Sequence, residues 1–370
     1  MAHADWSIIG LGTSSGDSSR ALDINDSGQV VGDYFSSTSS LHHAFITGPN
    51  GIGMTDLGAL GGAYYSSASG INDSGQVVGT FSMDTMSSHA FFTGPNGIGM
   101  TELGGLNFDS TYFGTSINNS GQVLGVIGGG ALRAFITGPN GIGMTDLGTL
   151  GGLTTEAYDI NDSGQVVGIS NIERDSGIMH AFITGPNGIG MTDLDALGMN
   201  FVISYFRYYG MGINNSGQVA GSCFSHACIT DPNGVGMTDL GTLGGYNSYA
   251  LDINDSGEVV GYATTANKES HAFIYSHGGI TDLSLLAPVV AAGWTEFYDD
   301  LSINNNGQIA GSGRHNGNLE AFLLSYTPDT VFDPKPIYIP PVPEPEIYLM
   351  LLSGLGLIGY LAWRRKETTI

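Results

Sequence analysis

The sequence predicts an all-β chain: a seven-bladed β-propeller closed by its own N-terminal strand, followed by a Pro-rich linker and one C-terminal transmembrane helix. Three observations carry this reading. An Ile-Asn pair recurs at Ile24, Ile71, Ile117, Ile160, Ile213, Ile253 and Ile303, at spacings of 47, 46, 43, 53, 40 and 50 residues, and periods of about 40–50 residues mark propellers or solenoids. Each repeat holds four short strand candidates separated by Gly, Pro and Asn clusters, which is the all-β signature. The last repeat lacks a fourth strand, and the N-terminus supplies an orphan one.

Within a repeat the elements follow from local chemistry. Ala157-Tyr158-Asp159-Ile160 forms the first strand, and Asn161-Asp162-Ser163-Gly164 supplies the turn residues and left-handed conformers that reverse the chain. Gln165–Gly168 is the second strand. A variable insert leads to the third, His180-Ala181-Phe182-Ile183, and Gly185-Pro186-Asn187-Gly188 turns into the fourth, Met191–Leu194. The orphan Ile8–Thr13 has the same character. Leu11 precedes Ile24 by 13 residues, as Leu147 precedes Ile160 and Leu240 precedes Ile253. A ring joined at its two ends requires this permutation and protects the terminal sheet edges; an open solenoid has no use for it.

Beyond the repeats, seven prolines lie between Pro328 and Pro345. Extended at about 3.1 Å per residue, that stretch makes a semi-rigid stalk of roughly 55 Å. Ile347–Trp363 is an uncharged run of 17 residues, at the short end of what a bilayer core of about 30 Å needs, and Arg364, Arg365 and Lys366 place its C-terminal end in the cytoplasm. Val342-Pro343-Glu344-Pro345, the apolar run and the basic triplet together resemble the PEP-CTERM sorting tail of Gram-negative bacteria. That resemblance implies an exosortase as processing partner, and a membrane helix that is removed in the mature protein. Ile347-Tyr348 and the trailing Glu367–Ile370 depart slightly from the pattern. At the other end, Ala2-His3-Ala4 has the form of a signal-peptidase site, so an apolar export segment is expected in frame upstream of Met1. The expected organisation is residues 1–4 as a signal-peptide remnant, 5–326 as the propeller, 327–341 as linker and 342–366 as sorting and membrane segment.

The triplets His43-Ala44-Phe45, His89-Ala90-Phe91, His180-Ala181-Phe182 and His271-Ala272-Phe273 resemble the HAF extracellular repeat family. His226-Ala227-Cys228, Arg133-Ala134-Phe135 and Glu320-Ala321-Phe322 are variants. The phenylalanines read as packing between sheets. The histidines lie on different blades, too far apart to share an ion, so no metal and no cofactor are expected. One carboxylate per Asn-Asp-Ser-Gly turn, exchangeable for Asn at Asn119, Asn215 and Asn305, reads as turn chemistry and not as a calcium site, which wants six to eight oxygens. Cys223 and Cys228 flank a four-residue turn, and cross-strand register decides whether they bond.

The chain has a net charge of -24, and the tail's bases are balanced locally, so residues 1–332 carry the whole excess. Such a surface repels phosphate backbones and excludes nucleic acid as a partner. No nucleophile elbow, zincin helix or P-loop is present. Variable inserts and crossovers gather aromatics on one face, so Tyr205, Arg207, Tyr208, Tyr209, Trp294 and Tyr298 are the candidate ligand-binding residues, with extracellular polysaccharide as the expected partner. The expectation is a non-catalytic exported surface or matrix protein. The alternatives are a carbohydrate-active enzyme, for which Glu156, Glu173 and Glu296 are the carboxylates to inspect, and a passive adhesive spacer.

Overall fold

The repeat punctuation folds as it reads. In the fourth repeat Thr155–Ile160, Val166–Asn171, Met179–Thr184 and Met191–Asp193 pair in order, all antiparallel. Gly164 sits at φ +76, where a Cβ would meet the Asn187 backbone nitrogen at 2.8 Å, so only glycine lets the first turn pack on the second. Between the third and fourth strands, Pro186–Gly188 makes a single 3-10 turn with Asn187 at φ 55. The same turn recurs at Pro49–Gly51, Pro95–Gly97, Pro139–Gly141 and Pro232–Gly234.

A computed structural model of the protein describes residues 5–327, except 14–16, 59, 85–86, 104–110, 175–176, 197 and 199–210. The chain divides into a body, Ala4–Thr327, and a second unit of Met1–His3 with Pro328–Ile370. The body is an all-β propeller. Among the described residues, five sheets have four strands. Four of these open with Thr111–Ile117, Thr155–Ile160, Gly212–Ile213 and Gly244–Ile253; the fifth joins Trp294–Ile303, Ile309–His315 and Asn318–Thr327 to the N-terminal Asp5–Gly10. In that last sheet Asp5 faces Thr327 and Gly10 faces Phe322, the closure that the 13-residue spacing predicts.

The expectation of seven separate blades is corrected. Five blades stand as separate four-stranded sheets, and the strands from Ser18–Ile24 to Thr101–Glu102 form one eight-stranded sheet. The reason is local. Met54–Gly58 leaves the edge of Leu41–Thr47 at Ala44 through Gly58, at φ +73, and the freed edge at His42 pairs in parallel with Tyr65 of the next strand. At three later joints among the described residues the link is a backbone hydrogen bond without a ladder pair, as from the Thr155 amide to the Leu132 carbonyl at 2.8 Å. The expected transmembrane helix is not supported either. Among the described residues no helix is long and apolar enough to cross a membrane, the Pro-started Ala287–Ala291 spanning only five residues. Ile347–Trp363 lies outside the described residues.

The core lies between neighbouring sheets. Phe45, Phe91, Phe135, Phe182, Phe273 and Phe322 are all fully buried, and Cys228 fills the equivalent place at 1% exposure. Val167, Ile169, Ala181 and Ile183 of one sheet, for example, pack with Met211, Ile213 and Val219 of the next. Cys223 and Cys228 are joined in a disulfide with Cα atoms 5.8 Å apart, closing the hairpin whose turn residues Phe224 and Ser225 both have positive φ.

Candidate functional site

The seven Ile-Asn anchors meet around the propeller axis. Each anchor Asn is buried and donates from Nδ2 to the backbone carbonyl of the anchor Asn in the following repeat. The series runs from Asn25 to Asn72, Asn118, Asn161, Asn214, Asn254 and Asn304, and Asn304 donates back to Asn25, at 2.9–3.2 Å throughout. Oδ1 of each Asn accepts local amides, as from Ser120 and Gln122 in the third repeat, which is an Asx turn. One side chain thus reverses its own chain and bonds the next repeat.

A second closed ring lies one residue outward. The amides of Asp26, Asp73, Asn119, Asp162, Asn215, Asp255 and Asn305 each donate to the side-chain Oδ1 of the following member, at 2.8–2.9 Å. Asn119 Nδ2 also reaches Asp73 and Asp162, Asn215 Nδ2 reaches Asp162 and Asp255, and Asn305 Nδ2 reaches Asp26. The Asp/Asn exchange read from sequence as interchangeable turn chemistry therefore has an order: the amides separate carboxylates that would otherwise adjoin, except at Asp26 and Asp73. Both rings line an axial cavity of about 150 Å³.

Deeper in the axis, the residue before each Ile contributes Asp23, Asp159 and Asp252. Each carboxylate spans two repeats: Asp23 accepts from the Ile24 and Ile71 amides, Asp159 from Ile160 and Ile213, and Asp252 from Ile253 and Ile303. Burial, then the charge of Asp252, pushes Asp23 and Asp159 each up to about 7 against these stabilising amides. Burial also raises Asp252.

Arg20 lies three residues before Asp23, on the same innermost strand. Its guanidinium holds Asp33 on the second strand, 3.3 Å from Nε and 2.7 Å from Nη2; the Asp33 side chain is 3% exposed and that of Arg20 41%. Burial would raise Asp33, but His42, Arg20 and the Ser67 hydroxyl outweigh it and hold the carboxylate below its ordinary range. His42 meets Phe35 on one side and Tyr65 on the other as tilted ring pairs beside the Arg20–Asp33 contact. In the last sheet, Tyr298 donates to Glu296 at 2.9 Å, and Arg314 contacts both Glu296 and the Tyr298 hydroxyl. Asp300 of the same strand acts electrostatically on Arg20.

Of the candidate ligand residues, Tyr298 sits in this charged cluster. Trp294 is 4% exposed; it stacks on His315 at 4.6 Å and meets Phe322 edge-on, so it is a core residue. Tyr205, Arg207, Tyr208 and Tyr209 lie outside the described residues, as do the sorting residues Val342–Pro345 and Arg364–Lys366. Glu156 and Glu296 lie on the first strands of different sheets, and Glu173 follows a second strand.

The triplet histidines have a role that packing considerations missed. Each pairs across strands with the acid of the fourth strand: His43 with Asp56, His89 with Glu102, His180 with Asp193, His226 with Asp239 and His271 with Asp282, at 2.7–2.9 Å. Arg133 does the same with Asp146. The permuted sheet inverts the pair. Its fourth strand carries Gly10, where a Cβ would strike the Glu320 carboxylate, and Glu320 binds His315 at 2.7 Å. The signal was in the sequence: a base at the triplet and an acid usually 13 residues later.

Residues 341–366 match the PEP-CTERM protein-sorting motif. The tail thus marks the protein as exported and exosortase-sorted, on a propeller scaffold. No curated protein matches the chain. Among solved structures, YCF48 bound to D1 peptide is similar with a TM-score of 0.54 and 12% identity, over 89% of this chain and 99% of that one. An oligogalacturonate lyase from Vibrio parahaemolyticus gives 0.53 and 8% over 89% and 99%. A puromycin-hydrolyzing peptidase from Mycobacterium tuberculosis gives 0.53 and 11% over 87% of this chain but 56% of that one. At these identities the likeness establishes the fold alone.

Proposed function

We infer that this is a non-catalytic surface or matrix protein of the HAF-repeat type whose variable face binds extracellular polysaccharide after exosortase sorting. Two observations support it: the half-exposed Arg20 guanidinium, fixed by buried Asp33 with Tyr65, Phe35 and His42 around it, and the Tyr298–Arg314–Glu296 cluster of the last sheet, whose strand also carries the Asp300 that acts on Arg20. Planar cations next to aromatic faces and amphoteric hydroxyls suit sugar hydroxyls and carboxylates. The test is retention of the full chain on immobilised matrix polysaccharide, comparing wild type with Arg314→Ala and Tyr298→Ala, and assaying the eluate for cleaved chains. Weaker retention of both variants with intact polysaccharide supports the reading. Absent retention, unchanged retention or released fragments overturn it.

A further inference from the structure

We propose that Asp23 and Asp252 hold one proton between them across the Ser302 hydroxyl, and that this shared proton latches the first repeat to the last two as a pH-releasable closure of the ring. The Ser302 oxygen lies 2.9 Å from Asp23 Oδ1 and 2.8 Å from Asp252 Oδ2. A serine hydroxyl carries a single proton to donate, so it satisfies one carboxylate; the second short contact needs a proton on the other carboxyl, donated back to the serine oxygen. The remaining bonds of both acids come from backbone amides, which cannot move a proton there.

Asp159, whose carboxyl is raised as Asp23's is, differs from it in geometry. Asp159 takes the hydroxyl of Ser116 at 2.9 Å, one hydroxyl for one carboxylate. In the repeats after Asp23 and Asp159 the same position is Gly70 and Gly212. Only at the seam does a serine stand between two acids, 279 residues from one and 50 from the other.

The titratable neighbours do not relieve the pair. On the strand of Asp23, Arg20 is engaged by Asp33 and influenced by Asp300. The charge acting most on Asp23 and on Asp159 is Asp252. Glu156 and Tyr158 lie on the Asp159 strand, Tyr249 on the Asp252 strand and Asp300 on that of Ser302, and the outer ring adds Asp26, Asp73, Asp162 and Asp255. Asp23, whose carboxyl is raised to about 7, gives up its proton near 4 when unfolded. The folded chain therefore holds an extra proton between those values. Stability is greatest below the unfolded value and falls as pH rises through the folded one.

Two measurements on the full chain test this. Infrared spectroscopy of wild type is expected to show a protonated-carboxyl band at mildly acidic pH that fades through about pH 7 and is diminished in Asp252→Asn. Thermal unfolding is expected to show a wild-type midpoint that falls over this range, and a shallower fall in Asp252→Asn, whose amide supplies the missing donor without titrating. Ser116→Ala leaves the Asp23–Asp252 contribution in place, so its fall is no shallower than that of wild type. An equal slope in Asp252→Asn, or no such band in wild type, overturns the proposal. So does a band abolished by added calcium or magnesium, which would make the acids a cation site. If Asp252→Asn fails to fold, the decrease of the band from Asp159→Asn to the Asp23→Asn/Asp159→Asn double variant decides, the share owed to Asp159 being absent from both.

Discussion

Replacing Asn118 with alanine removes one link of the axial amide ring and one Asx turn together. Asn118 Nδ2 donates to the Asn161 carbonyl at 3.0 Å and to Gln122 Oε1 at 2.8 Å, while Oδ1 accepts the Gln122 amide at 2.9 Å and the Ser120 hydroxyl at 2.8 Å. Asn118 is 3% exposed and Gln122 6%, so the partners cannot all turn to solvent. An orphaned buried polar group costs about 1–3 kcal/mol. The axial cavity has room to admit solvent, which would offset part of this, and the exposed Ser120 counts little. Two groups, the Asn161 carbonyl and the Gln122 amide, set an expected loss of about 3–4 kcal/mol. The neighbouring Asn119 makes similar bonds in the exposed outer ring, and Asn119→Ala is expected to cost under about 1 kcal/mol. Urea unfolding followed by circular dichroism measures both, read from the midpoint at constant slope. If Asn118→Ala costs no more than Asn119→Ala, the inner ring is not what holds consecutive repeats together.

Three further outcomes follow from named contacts. Cys228→Ala, or a reductant, opens a loop of sequence separation five and should lower stability by roughly 2 kcal/mol on the chain-entropy account, measured by unfolding with and without thiol. Arg20→Gln strips Asp33 of its main counter-charge; the lowered Asp33 value gives stability that is present above the ordinary carboxylate range and lost as pH falls through it. The acid-unfolding midpoint of the variant should therefore move to higher pH. Glu344→Ala, in the Val342–Pro345 segment at the start of the matched sorting motif, should leave the C-terminal segment attached, seen as a larger mass of the exported protein.

Elements with strong local chemistry were legible in the sequence. The Gly-Pro-Asn-Gly turns, the Ile-Asn anchors and the orphan strand at Ile8–Leu11 all declare themselves through turn residues and spacing, and Asp5–Gly10 pairs with the far end as that spacing requires. The eight-stranded sheet was not legible, because it depends on where Gly58 lets one strand peel away so that His42 can meet Tyr65. Trp294 reads as a surface aromatic from its variable surroundings, yet His315 and Phe322, brought to it only by the fold, bury it. The axial rings were half visible. An invariant Asn beside an alternating Asp/Asn position is a pattern any reader can tabulate, but nothing in a linear chain says that seven turns face one another.

The strand Asn318–Thr327 is the last described element before the Pro-rich stretch that leads to the sorting motif. It is flanked on one side by Ile309–His315 and on the other by Asp5–Gly10, antiparallel to both. A pull on the tail along the strand loads these two ladders in shear, so the hydrogen bonds share the force rather than opening one after another. Trimming the first few residues would remove one ladder and leave Asn318–Thr327 held from a single side. The permutation that closes the ring thus also makes the N-terminus part of what resists a pull on the last strand of the body.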